Sequence, residues 1–136
     1  MHKMAEKTQR LEIVTPERKV YSGDVRFVVV PGVEGELGFL PDHAPLVSAL
    51  KIGVMKVQED SRTFKVAISG GFVEVRNSRV TVLARTAERD DEIDRERAEA
   101  AKARAEQRLA ARTPDIDVVR AELALKRALA RLKAVS

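Results

Sequence analysis

The run Val80-Thr81-Val82-Leu83-Ala84-Arg85-Thr86-Ala87-Glu88-Arg89-Asp90-Asp91-Glu92-Ile93-Asp94-Arg95-Glu96-Arg97-Ala98-Glu99 changes character in its middle. Up to Leu83 it is short-period and β-branched, the mark of a strand. Beyond Arg85 the chain turns to Ala, Glu, Arg, Lys and Leu, which are strong helix formers. A domain boundary near Thr86 to Asp91 follows, with strands in front of it and helices behind.

Upstream of that junction the strand pattern repeats in Val25-Arg26-Phe27-Val28-Val29-Val30, Val54-Met55-Lys56-Val57 and Phe64-Lys65-Val66-Ala67-Ile68. Turn signals separate these runs at Thr15-Pro16, Ser22-Gly23-Asp24, Pro31-Gly32, Pro41-Asp42, Gly70-Gly71 and Asn77-Ser78. All seven glycines lie before residue 72. Many short strands with close turns predict an N-terminal antiparallel β-sandwich over residues 11–87. Residues 1–10 read as an extension and lead-in, and Met4 is an alternative natural start.

Downstream, the tail splits at Ala111-Arg112-Thr113-Pro114, where Thr113 is expected to cap a second helix and Pro114 to occupy its first position. Residues 88–136 therefore form a C-terminal antiparallel two-helix hairpin. Ile93-Asp94-Arg95-Glu96-Arg97-Ala98 recurs as Ile116-Asp117-Val118-Val119-Arg120-Ala121. Two copies make a hairpin, not a solenoid. Helix-start chemistry alone accounts for the pattern, because an apolar residue followed by an acid suits a helix N-terminus. The first helix offers Ala98, Ala100, Ala101, Ala105 and Leu109, a face that buries little area per residue. The second spreads Val118, Val119, Leu123, Leu125, Leu129 and Leu132 over more than one stripe. Such a hairpin is expected to fold onto the sandwich in one state and leave it in another.

Composition narrows the function. The 136 residues suffice for one good core, or for a small domain with an appendage. With no cysteine, disulfides, thiolate zinc sites and Cys nucleophiles are excluded. No apolar run approaches the roughly 20 residues of a membrane-spanning helix, so membrane contact has to pass through partners. Of the two histidines, His2 lies in the extension and His43 sits between Pro41 and Pro45, where fixing a turn or facing a partner suits it better than general-base work. Ser69-Gly70-Gly71 is not a nucleophile elbow, and Gly32, Gly35 and Gly38 do not make a P-loop. Catalytic and metal-ligating residues are accordingly expected to be none. Nucleic-acid binding is disfavoured, since the arginines alternate with acids and lack interleaved aromatics. The net charge of +4 is uneven: acids crowd residues 88–99, and Lys126, Arg127, Arg131 and Lys133 close the chain. The last helix should therefore seek an acidic partner.

Three segments carry a family resemblance: Val14-Thr15-Pro16-Glu17-Arg18-Lys19-Val20-Tyr21, then Pro31-Gly32-Val33-Glu34-Gly35-Glu36-Leu37-Gly38-Phe39-Leu40-Pro41-Asp42-His43-Ala44-Pro45-Leu46, then Ile68-Ser69-Gly70-Gly71-Phe72-Val73-Glu74-Val75. In order and over nearly the whole chain they resemble the epsilon subunits of bacterial F-type ATP synthases. The resemblance implies a non-catalytic rotor subunit of a proton-translocating synthase, seated between the gamma subunit and the c-ring. It implies a peripheral place on the cytoplasmic face of the bacterial membrane. Gly32, Glu34, Gly38 and His43 would face the ring. The hairpin would obstruct hydrolysis when extended, with Lys126, Arg127 and Arg131 meeting an acidic segment of the beta subunits.

In bacillus-like members the motif Ile/Leu-Asp-x-x-Arg-Ala binds ATP as a regulatory ligand, and Ile93, Asp94, Arg97 and Ala98 match every fixed position. Glu88, Arg104, Arg127 and Arg131 complete the implied site. Nothing in the sequence decides whether Mg²⁺ accompanies the nucleotide, or whether the isolated chain dimerises through Ala-rich surface. A free-standing interaction module docking on an acidic protein is the competing reading.

Overall fold

The computed structural model describes residues 7–111 and 113–136. Residues 1–6, with His2 and the alternative start at Met4, and Arg112 in the linker lie outside the described residues. The elements are β1 (Gln9–Val14), β2 (Lys19–Val25), β3 (Phe27–Gly32), β4 (Gly35–Phe39), β5 (Leu46–Gln58), β6 (Thr63–Arg76), β7 (Arg79–Ala84) and β8 (Ala87–Arg89). A 3-10 turn over Asp90–Glu92 leads to α1 (Arg95–Ala111) and α2 (Val118–Ala134). β1 takes in Gln9 and Arg10, and β8 takes in Glu88 and Arg89, so strand pairing runs two residues past each of the bounds 11 and 87.

The strands form one sheet in the order β2-β1-β7-β6-β5-β3-β4, with β8 paired to β6. Every pairing is antiparallel except β1 with β7, which run parallel. Gly70-Gly71 is not a turn between strands: it is a bend inside β6, which runs for 14 residues. The partner strand β5 runs for 13. Their register passes from Leu50↔Gly71 to Ile52↔Ser69, leaving Lys51 and Gly70 out of the ladder. Before the bend β5 pairs with the part of β6 that carries β7; beyond it β5 carries β3, and the front half of β6 carries β8. The two halves close on one aliphatic core, in which Leu11, Val73, Val80 and Val82 from one side meet Val28, Val30, Val57 and Val66 from the other. Alternation puts these residues inside. β-branched side chains fill a pleated interior well without large aromatics.

Gly71 makes the bend possible. Its φ is 138°, and a Cβ there would stand 2.0 Å from the Leu83 carbonyl oxygen.

The hairpin lies on the sheet through α2. Ala130 and Ala134 pack on Val54 and Ala67, with Ile52 and Ile93 at the margin. α1 rides on α2 through buried Ala98, Ala105, Ala121 and Ala128. Thr113 does not cap the second helix. It sits in a turn, with the Ile116 N–H donating to its carbonyl at 3.0 Å, and the helix begins at Val118. Asp117 is the cap, accepting from the Arg120 N–H at 3.0 Å, and an ionised carboxylate is the stronger acceptor at the positive end of a helix.

Replacing Gly71 with Ala adds a steric clash to a φ that L-residues avoid, and should cost about 3 kcal/mol or more. Gly35→Ala shares the unusual φ, at 139°, but has open space around it, and should cost about 1–2 kcal/mol. Urea unfolding midpoints of the two variants would show that ordering.

Candidate functional site

The connector between the halves is tied to the sandwich before the helices begin. Arg89 on β8 lays its guanidinium over the Phe64 ring at 4.5 Å and near Tyr21 at 5.5 Å, an arrangement the ring quadrupoles favour. The Tyr21 hydroxyl donates to Glu59; burial, then that bond to a carboxylate, push its pKa up to about 12. Glu92 Oε1 accepts from the Arg89 N–H at 3.0 Å, and Glu92 Oε2 pairs with Arg18 at 3.1 Å. Asp90 accepts from the Lys65 N–H at 2.9 Å. Residues 87–92 are therefore held from β6, from β2 and from the turn that precedes β2.

Asp94 then starts α1. Its Oδ1 accepts from the Arg97 N–H at 3.2 Å and its carbonyl from the Ala98 N–H at 3.1 Å. Asp117 does the same at the second copy of the pattern. Both aspartates of the repeat are thus helix caps, and Asp94 keeps its second carboxylate oxygen for another donor. Ile93 is half-buried against the Val54 and Ala67 cluster, and Ala98 is buried in the helix seam.

Of the residues expected at a nucleotide, three come together. Arg131 donates to Glu88 Oε1 at 2.5 Å, each side chain about one-third exposed, and Arg127 lines the same small recess with Ser69 and Thr86. Arg97 and Arg104 are exposed on α1 and make no ion pair among the described residues. Arg127 also borders a second recess of about 500 Å³ with Arg108 and Arg120. These two arginines were not singled out from sequence; the i, i+4 spacing of Arg104 and Arg108 was the available signal.

The expected partner-facing residues do not form one patch. Gly32 and Glu34 lie at the β3–β4 turn, Gly38 within β4, and His43 beyond the far end of that strand. His43 stands edge-on to Phe39 at 5.1 Å and its Nδ1 lies 2.7 Å from the Ala44 carbonyl, a turn-fixing role. Asp42 bonds Ser78 through both its carboxylate and its backbone N–H at 2.9 Å, joining this link to the β6–β7 turn.

A cleft of about 1220 Å³ opens between the N-terminal half of α2 and the bend of the sheet. Its walls include Leu50, Phe72, Leu83 and Leu123, and its cations are Lys51, Arg85, Lys126 and Arg127; no carboxylate lines it. Phe72 is 58% and Leu83 54% exposed. They are cross-strand partners on the outward phase beyond the bend, where the other outward residues, Glu74, Arg76, Arg79 and Thr81, are polar, a break in alternation that sequence reading passed over.

The arrangement defines a class: a folded-over sandwich with an anchored connector and a two-helix arm laid on its outer face. Family models for the ATP synthase delta/epsilon chain match throughout, the β-sandwich domain over residues 8–90 and the long alpha-helix domain over 91–136. The epsilon chain of Pelotomaculum thermopropionicum is 68% identical over 107 residues, covering 79% of this chain and 80% of that one. That of Bacillus subtilis is 52% identical over 103 residues, covering 76% and 78%. A chain in the Euglena gracilis mitochondrial ATP synthase, a structure of OSCP, F1 and c-ring, superposes with a TM-score of 0.80 at 25% identity, over 98% of this chain and 83% of that one. The chain belongs to the ATP synthase delta/epsilon family, and is a non-catalytic subunit of the synthase. No helix among the described residues is long and apolar enough to cross a membrane.

Glu92 tests the connector. The hydrogen bond from Arg18, then that from the Arg89 N–H, hold its pKa below the usual carboxylate value. A depressed folded pKa contributes stability above the unfolded value that is lost as pH falls through the folded one. Hydrogen-exchange protection at the Arg89 amide should therefore drop on acidification below the ordinary carboxylate range, and Glu92→Gln should flatten that response.

Proposed function

We propose that this subunit joins the gamma subunit to the c-ring as part of the rotor and restrains ATP hydrolysis through its hairpin, with ATP favouring the folded hairpin seen here. The observation that carries this reading is the thinness of the attachment. α2 meets the sheet through alanines, one partly exposed ion pair, Arg131 to Glu88, and an exposed hydrogen bond from Lys65 to the Ser136 backbone oxygen. At about 25 cal/mol per Å², an alanine seam stabilises much less than a leucine seam of equal length. Exposed ion pairs add about 1 kcal/mol or less. Such an arm is poised to leave.

Charge supports the rest. In the folded form Glu88 holds Arg131; once the arm extends, Arg131 is free, with Arg127 and Lys126, to meet an acidic segment of the beta subunits. Charge-assisted hydrogen bonds would then hold the extended form. The acid-free cleft with Phe72 and Leu83 suits an apolar, acid-bearing surface of gamma. The Euglena neighbour, solved with F1 and c-ring, favours this placement, and with it a peripheral position on the cytoplasmic face of a bacterial membrane.

For the nucleotide, Arg127 and Arg131 are placed beside Glu88, and Asp94 offers its free oxygen to the base or ribose. Arg97 and Arg104 share one side of α1 by their seven-residue spacing. A ligand at 100 times its Kd stabilises the binding form by about 2.7 kcal/mol, enough to govern so weakly held an arm.

Titration calorimetry of ATP into the chain should give saturable binding, abolished in the Asp94→Ala, Arg97→Ala double variant; absence of heat in the parent would sink the nucleotide reading. In the assembled synthase, alanine at Lys126, Arg127 and Arg131 should relieve inhibition of ATP hydrolysis. Unchanged inhibition would remove the basic helix from the mechanism.

A further inference from the structure

The last turn of α2 is held by two cations from different elements. Arg95 Nη2 donates to the Val135 carbonyl at 2.6 Å, and Lys65 Nζ donates to the Ser136 backbone oxygen at 3.1 Å. Arg95 is the first residue of α1, and Lys65 belongs to β6. The final carbonyls of a helix lack intrahelical donors and carry the negative end of its dipole, so cations are well placed there. The neighbouring carbonyls are already served: the Val135 N–H donates to that of Arg131, and the Ser136 N–H and hydroxyl to that of Lys133.

The opposite end of the helix has no such hold. Val119 is 65% and Leu123 40% exposed, and Leu123 lines the open cleft. The arm is thus fastened at the C-terminal end of α2 and loose at the N-terminal end. Arg95 lies between Asp94 and Arg97, and Val135 lies one turn beyond Arg131. A bond from Arg95 to Val135 therefore sets the start of α1 against the arginine that faces Glu88.

We propose that Arg95, which occupies a variable position of the Ile93-Asp94-x-x-Arg97-Ala98 pattern, is a positioning residue: together with Lys65 it clamps the end of α2 and holds the hairpin folded before a nucleotide arrives. The consequence for ATP rests on the nucleotide reading above, whereas the clamp itself does not. If only the folded arm binds ATP, the apparent Kd equals the intrinsic Kd divided by the folded fraction. Loss of the clamp then raises the apparent Kd by the factor by which the folded fraction falls.

The chain has no cysteine, so spin labels can be placed at Glu74→Cys on β6 and Glu106→Cys on α1, both exposed and outside the site. Pulsed EPR distances without and with ATP would be read beside calorimetric Kd values for the parent, Arg95→Ala, Arg95→Lys and Lys65→Ala. Without nucleotide the parent should show the short distance. Arg95→Ala should lower the folded-to-open ratio about fivefold, the scale of one ordinary exposed hydrogen bond, and Arg95→Lys should restore part of it. Saturating ATP should return Arg95→Ala to the short distance, with Kd weakened in step with the lost folded fraction. A weaker Kd at unchanged nucleotide-free distances would make Arg95 a ligand contact and overturn the clamp, as would no change in either. If the parent fails to bind ATP, the nucleotide reading falls while the nucleotide-free distances still decide the clamp.

Discussion

Everything in this molecule hangs on the close approach of the β6 backbone at Gly71 to the carbonyl of Leu83 on β7. Only a residue without a side chain permits it, and it lets two long strands turn a corner together. The corner converts one eight-stranded sheet into two facing layers, and so creates the interior that Val28, Val57, Val73 and Val82 fill. It also fixes where the second half of the chain begins. β8 pairs with β6 just before the bend, which brings the connector, Glu88 and the helix start to one side of the sandwich.

The two halves are held by different physics. The sandwich is stabilised by contiguous aliphatic burial, a cooperative and short-range contribution. The arm rests on small side chains, with charges at the margin: Arg131 on Glu88, Arg95 and Lys65 on the end of α2. Such contacts are weak singly and respond to salt and competing ions. The connector between them is the exception, because Arg89 stacked on Phe64 and Arg18 paired with Glu92 tie it to the sandwich.

Much of this was legible in the residues. Alternation identified the strands, and the change to Ala, Glu and Arg after Arg85 located the junction. Two things were not readable. Gly70-Gly71 carries the same local signal whether it ends a strand or bends one, and only pairing across β5 distinguishes the cases. Likewise Thr113-Pro114 is a sound helix start locally, yet Asp117 three residues beyond Pro114 is a better one. At the site, the repeated Ile-Asp was seen both as helix-start chemistry and as a ligand motif. The structure shows the first role at Asp94 and Asp117 and leaves one oxygen of Asp94 for the second. Arg95 was read only as a charge at a variable position of that motif, because its contact lies 40 residues away and no local pattern records it.

The alanine seam also determines how the arm responds to heat. Heat capacity changes with exposed apolar area, and lifting Ala130 and Ala134 from Val54 and Ala67 uncovers little of it. The balance between resting and raised arm should then have a nearly straight temperature course, without the strong curvature of whole-domain unfolding.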